Sequence, residues 1–164
     1  MKTLYLIGFM GSGKSTVGEL LHYDLGISYL DTDQMVVEKY GEIAAIFQQE
    51  GEDKFRDYET EMLTKTSPEN YIVSTGGGIV EREENMAFMK NNGRIIYLDT
   101  SFAQIADRLG NDPSRPLWRK NQKDKQKLYQ RRAKWYRQLA DFTVMTDQKS
   151  PEDIAGEILK ILEH

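Results

Sequence analysis

The chain of 164 residues predicts an α/β domain of three layers, α/β/α, with a five-stranded parallel sheet in the middle. Three observations lead there. Short apolar runs alternate with segments of helical period along the whole length. The first run is followed at once by a glycine-rich stretch that opens an amphipathic segment. No internal repeat and no long linker divides the chain, and its length suits one domain with a core of its own.

The strand signals fall at Thr3–Ile7, 28–30, 71–73, 94–98 and Phe142–Met145. Leu20, Leu21 and Leu25 mark a helix after the first strand. Phe55, Met62 and Leu63 mark a longer one starting near Gly51. Ile154, Ile158, Leu159 and Leu162 mark the last, begun by Ser150 as a cap with Pro151 at the first helical position. Ser101 with Gln104 three residues on reads as a second capping box. Strands alternating with helices imply parallel pairing and a sheet covered on both faces. Two segments break the alternation. Residues 33–67 hold too much helix for one crossover and read as a helical insertion after the second strand. Residues 110–124 are polar, carry two prolines and read as a lid.

Hydrophobic residues make up 39% and charged ones 29% of the chain, the composition of an ordinary soluble protein. The absence of cysteine excludes disulfides and thiolate chemistry. No apolar stretch approaches the roughly 20 residues that span a bilayer, and a strand beginning at residue 3 leaves no room for a signal peptide. The expectation is a cytoplasmic protein with no membrane partner. Net charge is −4, which argues against general nucleic-acid binding. The charge is segregated: Arg108 to Arg137 contains eleven basic residues against two acidic ones. A block so one-sided suits the handling of small anions. No exposed apolar stripe stands out, so a monomer is expected.

The stretch that carries the chemistry is GFMGSGKST, Gly8 to Thr16, which fits G-x-x-x-x-G-K-[ST] at every required position. Its glycines let successive backbone N–H groups curl around phosphate oxygens, where side chains would collide. Lys14 supplies positive charge for the outer phosphates and the Ser15 hydroxyl is a ligand for Mg²⁺. The helix that begins there points its positive dipole end at the same anion. Asp31-Thr32-Asp33 ends the second strand, at the edge of the sheet where ligands of α/β folds sit. One carboxylate could hold Mg²⁺ through water while the other meets an acceptor hydroxyl; either could instead cap the next helix. Asp99 ends another strand and competes weakly for the metal.

Arg56 and Glu59, three apart, are either a plain surface pair or an arginine aimed into an acceptor site and steadied by Glu59. Ser74-Thr75-Gly76-Gly77-Gly78 follows the third strand and allows close backbone approach by a ligand. Arg115-Pro116-Leu117 sits mid-lid, where an arginine can swing onto a transferring phosphate or simply be solvated. Arg131 and Arg132 point about 100° apart on a helix, so only one faces a cleft, and spacing does not choose between them. His22 and His164 look uninvolved.

Taken in order, these motifs resemble the shikimate kinase family of P-loop small-molecule kinases over essentially the full chain. The matching set is GSGKST at 11–16, LDTD at 30–33, FR at 55–56, GGG at 76–78, RPL at 115–117 and the arginine before Ala133. The resemblance implies a P-loop kinase fold, a single domain 1–164, ATP as co-substrate and Mg²⁺ as cofactor. It implies Lys14, Asp33 and Arg115 as catalytic residues. Gly11, Ser12, Gly13, Lys14, Ser15, Thr16 and Arg115 would bind the nucleotide, with Arg108 and, more loosely, Lys149 and Pro151 beside the adenine. Asp33, Arg56, Gly77 and Arg132 would bind shikimate, which selects Arg132 over Arg131. Ser15 and Asp31 would lie at the metal. The implied reaction converts shikimate and ATP into shikimate 3-phosphate and ADP, a step toward the aromatic amino acids. The alternatives are a gluconate or nucleoside-monophosphate kinase, or a nucleotide-dependent switch; the chain lacks the Asn-Lys-x-Asp signature of a guanine-binding switch.

Overall fold

The computed structural model describes residues 1–110 and 121–163. Five strands, β1 (Thr3–Ile7), β2 (Ser28–Asp31), β3 (Tyr71–Ser74), β4 (Gly93–Asp99) and β5 (Phe142–Met145), form one sheet in the order β2-β3-β1-β4-β5. Every pairing is parallel, with Leu4 beside both Ile72 and Arg94 and Tyr97 beside Thr143. The sheet is the expected one, each strand matching its apolar run to within a residue at either end.

Side chains of β1 alternate in direction and are buried on both faces, which explains the three layers. Leu4 and Leu6 face one way, into a core with Val17 and Leu21 of helix α1 (Lys14–Leu25) and Ile154 and Ile158 of helix α8 (Pro151–Leu162). Tyr5 and Ile7 face the other, into a core shared with Leu63, Met89, Ile105, Leu128 and Tyr136. These come in turn from helices α4 (Glu52–Thr64), α5 (Glu83–Asn92), α6 (Phe102–Leu109) and α7 (Gln122–Leu139). The insertion holds three helices, α2 (Thr32–Tyr40), α3 (Ile43–Glu50) and α4, around a small core of Val36, Ile46, Phe55 and Met62.

Two local expectations are corrected. Asp31 and Asp33 do not leave a strand together: β2 ends at Asp31 and α2 starts at Thr32, so Asp33 lies in a first helical turn. The Ser101 box is only half made. Its hydroxyl accepts from the Gln104 N–H at 3.3 Å, but its own N–H goes to Asp147 Oδ1 at 3.0 Å. The buried face of helix α5 starts in its first turn with Asn85, a polar residue that interrupts the apolar period; it donates to the Ile79 carbonyl and accepts from Thr60 Oγ1. Within the segment 110–124, residues 111–120 lie outside the described residues, and Asn121 already caps α7 by accepting from the Asp124 N–H at 2.9 Å. The Ser150 cap is the full reciprocal box, with Pro151 inside it.

Helix α1 lies close on the sheet edge. A methyl group at Gly18 would stand 2.5 Å from Cε1 of Tyr29 and 3.5 Å from Cδ1 of Leu6. Gly18→Ala favours the isolated helix, yet it should destabilise the folded protein by about 1–3 kcal/mol through this overlap. The midpoint of urea unfolding measures it, and a midpoint equal to or above that of the parent would show that the helix has room there.

Candidate active site

The loop after β1 is shaped by its glycines. Gly11 and Gly13 have φ of 83° and 93°, in the left-handed region that favours glycine. The loop closes through the Ser12 N–H on the Phe9 carbonyl at 3.1 Å, and Gly13 stands as the N-cap of α1. The Lys14 ammonium folds back over it, donating to the carbonyls of Gly8 at 2.6 Å and Phe9 at 3.0 Å. Arg108 reaches across from α6 and donates to the Gly11 carbonyl at 2.8 Å. The result is a curl of backbone N–H groups at a helix N-terminus with two cations laid along it, a cradle for polyphosphate.

Ser15 Oγ donates to Asp31 Oδ2 at 2.9 Å, while Oδ1 of the same carboxylate accepts the Gln34 N–H at 3.2 Å. Asp31 therefore caps α2 with one oxygen and faces the loop with the other. No group of three or more His, Cys, Asp or Glu among the described residues could hold a metal on its own. A hydroxyl and a carboxylate are nevertheless the hard oxygen donors that suit Mg²⁺ when phosphates and water complete its shell.

The second half of the site gathers at Gly76–Gly78. These residues lead from β3 into a short 3₁₀ helix, Gly77–Glu81, and the space beside each is already taken. A Cβ at Gly76 would sit 2.6 Å from Asp33 Oδ1 and 2.7 Å from Glu59 Oε2; one at Gly77, 3.1 Å from the Met10 backbone nitrogen and 3.4 Å from Arg132 Nη1; one at Gly78 would overlap the Arg56 guanidinium. Neither arginine is a surface residue: Arg56 is 6% exposed and Arg132 1%. Arg56 Nη1 donates to Glu59 at 2.9 Å, and its Nη2 reaches Glu52 at 3.4 Å. Arg132 Nε donates to Glu81 Oε1 at 3.1 Å. Three buried side-chain atoms here, Arg56 Nε, Arg132 Nη2 and Glu59 Oε2, have no hydrogen-bond partner among the described residues. Burial raises the Glu59 carboxyl above its ordinary range against the pull of Arg56, and the nearby Asp33 charge pushes it the same way.

A cleft of about 720 Å³ lies in front of the loop. Residues 10–17 form its floor, with Asp31, Asp33, Gly77, Arg108, Lys149 and Pro151 among its walls. The structure thus brings together every expected nucleotide and metal residue that it describes. Arg56 and Arg132 are not walls of this cleft; they lie behind the glycines, with Arg132 against Gly77. Arg115 lies outside the described residues.

Three participants were not apparent in the sequence. Glu81 grips both arginines of α7, accepting from Arg131 Nη2 at 2.7 Å as well as from Arg132. Tyr136 donates its hydroxyl to the Gly77 carbonyl, and the Gly76 N–H donates to Thr32 Oγ1 at 3.1 Å. The available signal was slight: an acidic residue four beyond Gly77, and a tyrosine one helical turn beyond Arg132.

The shikimate kinase family model matches residues 10–163. The chain belongs to the shikimate kinase family. A shikimate kinase of Persephonella marina is 45% identical over 161 residues, covering 97% of this chain and 98% of that protein. One from Bacillus anthracis is 44% identical over 161 residues, covering 96% of each. Among solved structures, a shikimate kinase of Acinetobacter baumannii in complex with shikimate superposes with a TM-score of 0.93 at 36% identity. That match covers 99% of this chain and 93% of the other. The Aquifex aeolicus shikimate kinase gives 0.85 at 38% identity, covering 98% and 96%.

The balance of charge behind the glycines has a pH signature. Burial pushes the Glu81 carboxyl up, but Arg131 and Arg132 together outweigh burial and hold it below its ordinary 4.5. A carboxyl so depressed adds stability that is present above its unfolded value and is lost as pH falls through the folded one. Thermal stability should therefore decline below pH 4.5, and Glu81→Gln should make that decline shallower. Equal slopes for parent and variant in a Tm-versus-pH series would remove this carboxyl from the account.

Proposed function

We propose a division of labour among these residues in the reaction of this family, ATP-dependent phosphorylation of shikimate to shikimate 3-phosphate and ADP. The triphosphate lies on Gly11, Ser12, Gly13, Lys14, Ser15 and Thr16, where backbone N–H groups and the α1 dipole meet its negative charge. Arg108 and Lys149 flank the far end of the cleft, on the side of the adenine. Ser15 and Asp31 would hold Mg²⁺, which when bound neutralises charge on the phosphates. Lys14 turns from its loop carbonyls to the transferring group, and Arg115 supplies the second cation from the lid. Both stabilise a loose, charge-spread transition state.

The acceptor is held by Asp33, Arg56, Gly77 and Arg132. One observation carries this half: two buried guanidinium groups flank the glycines, and each keeps a nitrogen with no protein partner among the described residues. An unmet charged donor in a buried site is costly, and a ligand carboxylate meets it. Asp33 accepts a hydrogen bond from the 3-hydroxyl and takes its proton as the phosphoryl group arrives. The structure bound to shikimate among the relatives supports this acceptor over gluconate or a nucleoside monophosphate.

No helix among the described residues is long and apolar enough to cross a membrane. A monomer in the cytoplasm, without nucleic-acid or membrane partners, completes the proposal, with residues 33–67 as the acceptor-binding insertion and 110–124 as the lid.

Asp33→Asn should lower kcat by about 10²–10⁴-fold while the KM for ATP stays unchanged. Steady-state ADP release with shikimate, gluconate and nucleoside monophosphates in turn checks both claims. Near-normal turnover of the variant would remove Asp33 from proton transfer, and ADP release independent of any acceptor would overturn the assignment of the acceptor site.

A further inference from the structure

Glu81 is the last residue of the 3₁₀ helix that the glycines begin. It belongs neither to the cleft wall nor to the motifs read in the sequence. Its carboxylate nevertheless sits between two arginines with different surroundings. Arg131, whose side chain is 53% exposed, clasps it from the solvent side, with Nη2 at 2.7 Å from Oε1 and 3.1 Å from Oε2. Arg132, whose side chain is 1% exposed, meets Oε1 from within, and only through Nε, at 3.1 Å.

The use of Nε is what matters. A guanidinium tied at Nε keeps both terminal nitrogens for something else. Here Nη1 lies against Gly77, which is a cleft wall, and Nη2 is buried with no protein partner among the described residues. The face of the group is fixed as well, with its central carbon 5.8 Å from the centre of the Phe9 ring.

A competing arrangement is close at hand. Glu59 and Asp33 present carboxylate oxygens beside Gly76, and Glu59 already feels the charge of Arg132. An arginine free to turn would pair with these carboxylates. It would then withdraw the donors that an incoming anion needs, and it would tie up Asp33.

We infer that Glu81 is a positioning residue for acceptor binding: it anchors Arg132 by Nε and presents the two terminal nitrogens for bidentate pairing with the acceptor carboxylate. Arg131 holds the anchor from outside. The inference rests on the proposed role of Arg132, and it makes the reach of the Glu81 side chain, rather than its charge, the decisive property.

Four variants test it through separate KM values for shikimate and ATP, kcat and Tm. Glu81→Ala should raise the shikimate KM about tenfold, the worth of one charge-assisted hydrogen bond, with the ATP KM and kcat little changed. Glu81→Asp keeps the charge but draws the carboxylate back, and should also raise the shikimate KM. Glu81→Gln keeps an acceptor oxygen at the same reach and should restore most of it. Loss of Tm in Glu81→Ala with the shikimate KM unmoved would reduce Glu81 to a structural ion pair and overturn the inference. So would the opposite ranking, with the Asp variant behaving as the parent and the Gln variant as the Ala one. If Glu81→Ala does not fold, the Asp and Gln pair alone decides. Arg132→Ala separates the two levels: an unchanged shikimate KM there would remove the reading of the acceptor site itself, whereas a raised one beside an inert Glu81 series would remove only the anchor.

Discussion

The site depends on three consecutive residues having no side chains. At Gly76–Gly78 the chain passes between charged groups that reach in from α2, α4 and α7, and at each position the space for a methyl group is already contested. The constraint is volume rather than backbone conformation, since none of the three has positive φ. The main chain is tied down as it passes, Gly76 by Thr32 and Gly77 by Tyr136. Side chains from elements far apart in sequence can then converge on one small region at the end of a strand.

Bringing them there requires burying charge. Arg56 and Glu59 form a pair with 7% and 1% side-chain exposure, and Arg132 with Glu81 forms another with 1% and 16%. Such pairs seldom repay their desolvation and add little stability. Their value lies in what stays unmet. Arg56 Nε, Arg132 Nη2 and Glu59 Oε2 are held ready in a medium where a hydrogen bond to a charged group is strong. On the proposed reading of the acceptor site, part of the stability of folding is given up for groups organised before the ligand arrives.

Much of this was legible in the sequence, for reasons that differ by residue. The loop at Gly8–Thr16 could be read because its requirements are local: glycines for the curl, with a lysine and a serine at fixed places after them. The sheet could be read because parallel strands buried on both faces leave continuous apolar runs. The start of α2 at Thr32 was hidden because Asp31 is both strand end and helix cap, a double use that spacing does not reveal. Helix α5 was hidden by the buried Asn85, which serves the Ile79 carbonyl and removes the apolar period. Glu81 was hidden because its partner Arg132 is 51 residues away and it stands in the charged run Glu81-Arg82-Glu83-Glu84. The burial of Arg56 and Arg132 is a tertiary fact, and only the family resemblance chose Arg132 from its neighbour.

The position of the Lys14 ammonium carries a last consequence. The group has three protons to give, and carbonyl oxygens of its own loop stand at 2.6 and 3.0 Å. The Ser12 hydroxyl stands at 3.5 Å as well, so an incoming ligand that takes these protons must displace oxygens of the loop and leave them to water. That exchange is favourable when the newcomer concentrates negative charge and unfavourable when it is neutral or weakly charged. The loop is then a sieve for charge density: its own backbone competes for the lysine, and a polyphosphate outbids it where a sugar hydroxyl or a lone carboxylate does not.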